Sequence, residues 1–117
     1  MRLRERLGTG NGALLRVVAR MEERIESPLP RGDLARTANV SLRQLERLFR
    51  QHLGCTLGEH YLGLRLNRAR DLLRQTGLPL IEVALATGFT SASSFSRSYR
   101  ARYGHPPRNE RRWRPQA

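Results

Sequence analysis

One pattern occurs twice in this chain, as SLRQLERLFRQHLG at residues 41–54 and as SASSFSRSYRARYG at residues 91–104. The two copies align without a gap. The matched positions are Leu45 with Phe95, Arg47 with Arg97, Phe49 with Tyr99, Arg50 with Arg100 and Gly54 with Gly104. Each copy begins at a serine, repeats apolar residues at helical spacing and ends at a glycine. Each therefore predicts a short helix that is capped at both ends.

The residues ahead of the two copies also correspond. Leu34-Ala35 matches Val83-Ala84, and Asn39-Val40 matches Gly88-Phe89, once Thr90 is allowed as an extra residue in the second copy. Short support helices are predicted over 31–38 and 80–87, and Asn39 suits the left-handed residue of a tight turn. The repeated unit is a helix, a turn and a helix, so the sequence predicts two helix-turn-helix units in tandem.

The remaining segments complete an all-α fold of about seven helices. Apolar residues at helical spacing predict a first helix over 13–27, and a Thr56/Glu59 capping box begins the longest helix, over 57–75. The expected organisation is a flexible linker or tail at 1–12, a first lobe at 13–55, a connecting helix at 56–77, a second lobe at 78–113 and a tail at 114–117.

The charge balance points to a polyanionic partner. The 117 residues include 22 arginines and no lysine, against 10 acidic residues, and the formal net charge is +12. Surfaces this basic attract phosphates most strongly. A single cysteine, Cys55, argues against a disulfide or a zinc site, and no metal or cofactor is expected. The sequence has neither a signal peptide nor an apolar run long enough for a membrane span, so we expect an intracellular protein without membrane contact.

Catalysis is not expected. His52, His60 and His105 are far apart in sequence, and His52 is predicted on the buried face of its helix. Cys55 precedes a helix N-terminus, a position that lowers a thiol pKa. No catalytic pairing of nucleophile and base, or of two carboxylates, accompanies it.

Residues 88–107, GFTSASSFSRSYRARYGHPP, closely resemble the signature of the AraC/XylS family of bacterial transcription regulators. The resemblance covers roughly residues 13–108. Further residues that match the family are Leu80, Glu82-Val83-Ala84, Arg65-Leu66, Arg68-Ala69 and Leu72-Leu73.

The resemblance implies two homeodomain-like helix-turn-helix lobes joined by one long helix, with the second helix of each lobe in successive major grooves of double-stranded DNA. Such grooves lie roughly 34 Å apart, one turn of the duplex. It also implies RNA polymerase as a partner, and an effector ligand bound by a separate N-terminal domain. The segment Arg6-Leu7-Gly8-Thr9-Gly10 resembles the linker of the subgroup whose N-terminal domain is similar to PfpI-type amidotransferases. The fragment is expected to be a monomer in the bacterial cytoplasm, associated with the nucleoid.

The chain departs from the family pattern near its end. Where the family often has P-x-x-Y-R, this chain has Pro107-Arg108-Asn109-Glu110-Arg111. Glu110 therefore stands in place of an aromatic residue, and Trp113 is the candidate to substitute for it.

The resemblance places base-reading positions on both second helices, and they are Arg43, Gln44, Glu46, Arg47, Ala92, Ser93, Ser96 and Arg97. Arg43 and Arg47 share a face and can each offer a two-pronged donor to guanine. Gln44 is ambiguous, because a capping-box side chain turned back to its own helix cannot also read adenine. Glu46 could accept from cytosine or orient Arg43 and Arg50.

The second copy offers fewer groups for base contact, because Arg97 is the only long side chain among its base-reading positions. The first lobe is therefore expected to supply most direct readout. Candidates for phosphate contact are Arg36, Arg50, Thr90, Arg100 and Arg102, with a basic tail at Arg108, Arg111, Arg112 and Arg114. Arg65, Arg68 and Arg70 are weaker candidates, because arginines on a helix surface are usually solvated or paired, here with Asp71 or Glu59.

Two other binding functions share these basic, capped helices: structured-RNA binding, and the targeting domain of a DNA-rearranging protein. Two helices spaced for successive major grooves favour duplex DNA over RNA, because the deep groove of an RNA duplex excludes a helix.

Overall fold

The structure, a computed structural model, describes residues 2–111. The expected roles of Trp113, Arg112, Arg114 and the tail at 114–117 fall outside these residues. The described part of the chain is all-helical, which confirms the predicted fold class. Its elements are α1 (Leu3–Leu7), α2 (Gly12–Glu23), α3 (Arg31–Thr37), α4 (Leu42–Leu53), α5 (Leu57–Gln75), α6 (Leu80–Ala86), α7 (Ala92–Tyr103) and a final 3-10 helix (Pro107–Arg111).

The chain forms two compact units. Within the described residues, the first runs over 2–24 and Pro28–Leu62, and the second over Ile25–Ser27 and 63–111. The division falls inside α5, so each unit takes part of that helix into its own core. Each unit also contains one copy of the repeated pattern.

The helices of the two copies, α4 and α7, have the same length and the same ends. Ser41 Oγ accepts a hydrogen bond from Gln44 N, and Ser91 Oγ accepts one from Ser94 N, each at 3.1 Å. Gly54 and Gly104 end the helices in the left-handed conformation, which a side chain would disfavour. These ends confirm the predicted caps, since local hydrogen-bonding rules alone determine them.

The turns ahead of the two helices also match. Asn39 has φ 55° and Gly88 has φ 85°, so both take the left-handed conformation that the turn requires. The amide of the next residue returns to the support helix, from Val40 N to Ala35 O at 3.2 Å and from Phe89 N to Ala84 O at 2.9 Å. The predicted left-handed residue at Asn39 is confirmed.

The first unit packs α2, α3 and α4 against one another and takes in the start of α5. Its buried residues are Leu14, Val17, Val18, Met21, Leu34, Ala35, Ala38, Leu45, Phe49, Leu57 and Tyr61. The Tyr61 hydroxyl donates to Arg24 O at 2.6 Å and accepts from Leu29 N at 3.1 Å. The helix α2 ends at Glu23, four residues earlier than the predicted end at residue 27. The Arg24 carbonyl, just beyond that end, is the one that accepts from Tyr61.

The N-terminal residues include a short helix that contacts α2. Residues Leu3–Leu7 are helical, and Arg6 donates to both carboxylate oxygens of Glu22 at 3.2 Å. Thr9 is buried, and its Oγ1 lies 3.1 Å from His52 Nδ1 at the end of α4. The prediction that His52 is buried is wrong, because its side chain is exposed and faces this segment from the last turn of α4.

The second unit packs α6, α7 and the 3-10 helix with the later part of α5. Its buried apolar residues are Leu66, Ala69, Leu73, Val83, Ala84, Phe89, Phe95 and Tyr99. Two ring pairs lie in this core, Phe89 to Phe95 at 5.2 Å and Phe95 to Tyr99 at 5.7 Å between centroids. They connect the turn ahead of α7 to the buried face of that helix.

Glu110, which stands in place of the family's aromatic residue, is 3% exposed. Its Oε2 accepts from Arg74 Nε at 2.9 Å, and its Oε1 lies 3.3 Å from His105 Nε2. Burial alone raises the pKa of the Glu110 carboxyl, but the nearby Tyr99 hydroxyl and the paired Arg74 guanidinium outweigh burial and hold the pKa below its ordinary value. The position therefore holds a paired carboxylate where the family pattern has an aromatic residue.

Replacing Glu110 by glutamine should lower the free energy of unfolding at neutral pH by about 1–3 kcal/mol, allowing for the partial exposure of Arg74. Because the folded-state pKa is depressed, the charged carboxylate stabilises the fold above the unfolded pKa, and this stabilisation disappears as the pH falls through the folded value. Urea unfolding from pH 7 to pH 3 should show native protein and Glu110→Gln converging at acid pH. Glu82→Gln removes an exposed carboxylate of the same unit and is the control; equal losses for the two variants would contradict the assignment.

Candidate nucleic-acid interface

The outward face of α4 carries three of the predicted base-reading side chains. Leu45 and Phe49 are fully buried, and this fixes the opposite face toward solvent. Arg43, Gln44 and Arg47 are exposed there. Together with Ser41 they line a depression of about 330 Å³ at the N-terminal end of the helix. The structure brings these side chains together where a helix entering a groove would first meet base edges.

Glu46 lies on the same helix but has a partner of its own. Its Oε1 accepts from Arg31 Nη1 at 3.3 Å, and Arg31 belongs to the support helix α3. The predicted partners, Arg43 and Arg50, are on α4 itself. Because Glu46 is half-buried and turned toward α3, Arg31 competes with any base for its carboxylate.

The outward face of α7 is built on the same plan with smaller side chains. Phe95 and Tyr99 are fully buried, as Leu45 and Phe49 are in α4. Ala92, Ser93 and Arg97 are exposed, and Ser96 is half-buried. Only the Arg97 guanidinium projects far from this face, so a partner would have to come close to the helix backbone.

The predicted phosphate-contacting residues are all exposed: Arg36, Arg50, Thr90, Arg100 and Arg102. Two of the five have protein partners. Arg36 pairs with Asp33 on α3, and Arg102 donates to Asn67 Oδ1 and to the Tyr103 hydroxyl at 3.3 Å. Those contacts compete with a phosphate, so Arg50 and Arg100 are the more available of the four arginines.

The long helix α5 uses its arginines differently from the sequence prediction. Arg65 donates to the carbonyls of Thr87 and Gly88, and the Arg70 guanidinium lies 4.8 Å from the centre of the Tyr103 ring. Solvation, or pairing with Asp71 or Glu59, was expected for these residues. The aromatic and carbonyl partners lie more than twenty residues away in sequence, so helical spacing along α5 could not identify them.

Asn11 is a further residue that the sequence prediction missed. Its Oδ1 accepts from Leu14 N at 3.1 Å and so caps α2. An asparagine directly before the first apolar residues of a helix is a recognised start signal, and it was available in the sequence.

Cys55, the residue considered for catalysis in the sequence, is a free thiol and is half-buried. Burial raises the pKa of the Cys55 thiol, and the charge of Glu59 adds to this effect, so the shift is opposite to the one that a helix N-terminus would cause. No group of three or more His, Cys, Asp or Glu side chains that could hold a metal ion occurs between residues 2 and 111. None of the helices in that range is long and apolar enough to cross a membrane.

Comparison with known proteins identifies the family of this chain. The helix-turn-helix domain family matches residues 34–112. The HTH-type transcriptional regulator GbdR of Pseudomonas aeruginosa is 49% identical over 113 residues, which cover 97% of this chain and 31% of GbdR. The chain thus spans about a third of the length of the curated relatives it matches.

Solved structures agree with the sequence relatives. An AraC-type DNA-binding transcriptional regulator from Chromobacterium violaceum is 48% identical with a TM-score of 0.85, covering 89% of this chain and 93% of that one. The DNA-binding domain of AdpA, solved in complex with a target DNA, is 28% identical with a TM-score of 0.80 and covers 86% and 90%. With its repeated capped helices, its matching turns and these relatives, the chain belongs to the helix-turn-helix domain family of AraC-type transcriptional regulators.

Proposed function

We propose that this chain binds double-stranded DNA by sequence, as the DNA-binding part of a bacterial transcription regulator, with α4 and α7 as its reading helices. The observation that carries the proposal is the matched construction of these two helices, each of which exposes arginine on its outward face. An α-helix is about 10–12 Å across and the major groove of DNA is about 12 Å wide, so a helix fits the groove.

The two reading helices would occupy successive major grooves of one duplex. Both are present in a single chain, so a monomer suffices for two DNA elements. Their outward residues differ, with Arg43 and Arg47 on α4 against Ser93, Ser96 and Arg97 on α7. The bound site should therefore be asymmetric and need not be a palindrome.

The first reading helix would supply most of the direct base readout. The exposed Arg43 and Arg47 can each bind the O6 and N7 atoms of guanine, and the exposed Gln44 is available to adenine. Glu46 would accept from cytosine only after leaving Arg31. On α7, Arg97 is the main reader, while Ala92, Ser93 and Ser96 permit close approach.

Phosphate contacts would position the two helices. The candidates are Arg36, Arg50, Thr90, Arg100 and Arg102. Such contacts carry no sequence information, but they set the register on the duplex and the salt dependence of binding.

DNA binding is favoured over the other functions that the sequence left open. The similar proteins are named as transcriptional regulators or, for AdpA, as a global transcriptional factor. Structured RNA offers a helix no accessible major groove. We propose no catalytic activity for the described site.

The relatives are about three times as long as this chain, so the remaining functions of such a regulator would lie in other sequence. We propose that an effector is bound by an N-terminal domain, which in one subgroup is similar to PfpI-type amidotransferases. RNA polymerase would be the protein partner, and the bacterial cytoplasm, at the nucleoid, the place of action.

Selection of bound sequences from a random duplex library tests the proposed function directly. Enriched sequences should contain two different elements about one helical turn apart, because two unlike helices would read them. A matched duplex RNA should compete poorly. Equal competition by RNA, or the absence of any enriched sequence, would contradict the proposal.

Arginine substitutions should divide the selected site between the two helices. Arg43→Ala and Arg47→Ala should each cost about 1–3 kcal/mol at one position of one element, and Arg97→Ala should affect the other element. Binding titrations with single-base variants of the site measure this. Arg16→Ala, an exposed arginine of α2, controls for the lost charge. The assignment is wrong if Arg97→Ala relaxes sequence preference more than both α4 variants.

Binding should weaken steeply with salt. With about six phosphate contacts and a slope contribution of about 0.9 for each, a log–log plot of affinity against salt should fall with a slope of about −5. Arg50→Ala and Arg100→Ala should each make the slope shallower by about 0.9 without changing base preference. A flat salt response of the native chain would rule out the electrostatic part of the proposal.

A further inference from the structure

We infer that Arg65 is a positioning residue for the second reading helix, α7, and that sequence discrimination by α7 depends on it. The inference rests on the proposed function, because it concerns how one lobe reads DNA. Arg65 itself lies on α5, and it contacts the turn between α6 and α7 and that turn's aromatic residue. It therefore acts through the turn.

Arg65 donates two hydrogen bonds to the turn. Its Nε lies 2.8 Å from Thr87 O and its Nη2 lies 2.9 Å from Gly88 O. These carbonyls follow the last turn of α6, where a helix has no internal donors left for them. The two donors sit on one rigid, planar group, so they hold two successive carbonyls in a fixed relation. A lysine ammonium has no such planar pair.

The same guanidinium also lies against the aromatic residue of the turn. Its Cζ is 4.2 Å from the centre of the Phe89 ring, a favourable cation–π distance. Phe89 packs on Phe95 at 5.2 Å between centroids, and Phe95 is the first buried residue of α7. A continuous series of contacts thus runs from Arg65 through the turn to the helix that carries Ser93, Ser96 and Arg97.

The first lobe has no equivalent residue at the matching position. Leu14, Val17 and Met21 are buried on α2 with the same spacing as Leu66, Ala69 and Leu73 on α5. This alignment places Ala13 where the second lobe has Arg65. The first turn also has Val40 in place of Phe89, so it offers no ring for a guanidinium to stack on.

The difference fits the side chains that each helix presents. A long arginine can adjust several torsions to reach a base when its helix is slightly displaced. Alanine and serine at positions 92, 93 and 96 have no such reach, so their contacts depend on where the backbone lies. The helix with the short side chains is therefore the one that needs the firmer support, and Arg65 supplies it.

The test compares Arg65→Ala and Arg65→Lys with Arg68→Ala, which removes an exposed charge from the same helix. Each protein variant is titrated with the selected duplex and with single-base variants of both DNA elements. All titrations are run at a temperature well below the thermal unfolding midpoint of each protein variant. Arg65→Ala should lower discrimination at the element that depends on Arg97 by about tenfold, within the range of one good base contact. Discrimination at the element that depends on Arg43 should persist. Arg65→Lys keeps the charge but should restore little of the discrimination at that element.

Three results would overturn the inference. Equal discrimination by Arg65→Ala and Arg68→Ala at both elements would show that Arg65 only stabilises the fold. A salt slope shallower by about 0.9, with uniform weakening, would make Arg65 a phosphate contact. Full rescue by lysine would show that the charge matters and the planar pair does not. If the native chain itself shows no sequence preference, the proposed function fails first, and the inference falls with it.

Discussion

The structure depends most on a pair of buried residues one turn apart in each reading helix, Leu45 with Phe49 and Phe95 with Tyr99. Full burial of such side chains contributes about 1.5–3 kcal/mol each, so the pair determines which face of the helix turns inward. Helical geometry then turns the residues on the opposite side of the helix toward solvent. Serine and glycine at the ends set the length. With the frame determined in this way, the exposed residues are free to differ between the copies.

Much of this frame could be predicted from the sequence because its rules are local. The predicted fold class, the caps at Ser41 and Ser91, and the left-handed turn at Asn39 are all confirmed. The reading helices begin and end where their serines and glycines indicate. The end of α2 was predicted four residues too late, since Tyr61, more than thirty residues away, binds the Arg24 carbonyl just beyond it.

The features that sequence could not supply depend on partners distant along the chain. Glu110 looked like the loss of an aromatic residue, yet it is buried because Arg74 and His105 pair with it. The outward position of Glu46 followed from helical spacing, but its partner Arg31 comes from another helix. His52 was expected in the core because it follows the apolar spacing of α4, whereas it faces Thr9 at the surface. Helical periodicity along one element predicts the face on which a side chain lies, but it does not identify the group that the side chain contacts.

In the proposed function, the two lobes would support base reading in different ways. On α4 the exposed residues include two long arginines and a glutamine, and the turn ahead of the helix is built from Asn39 and Val40 without an aromatic ring. On α7 the outward residues are small, and the rigid contacts lie behind the helix, from Arg65 to the turn and from Phe89 to Phe95. Changes on the surface of α4 should therefore alter which bases are preferred. For α7, changes in the buried support should matter as much as changes on the surface, because short side chains read only what the backbone brings within reach.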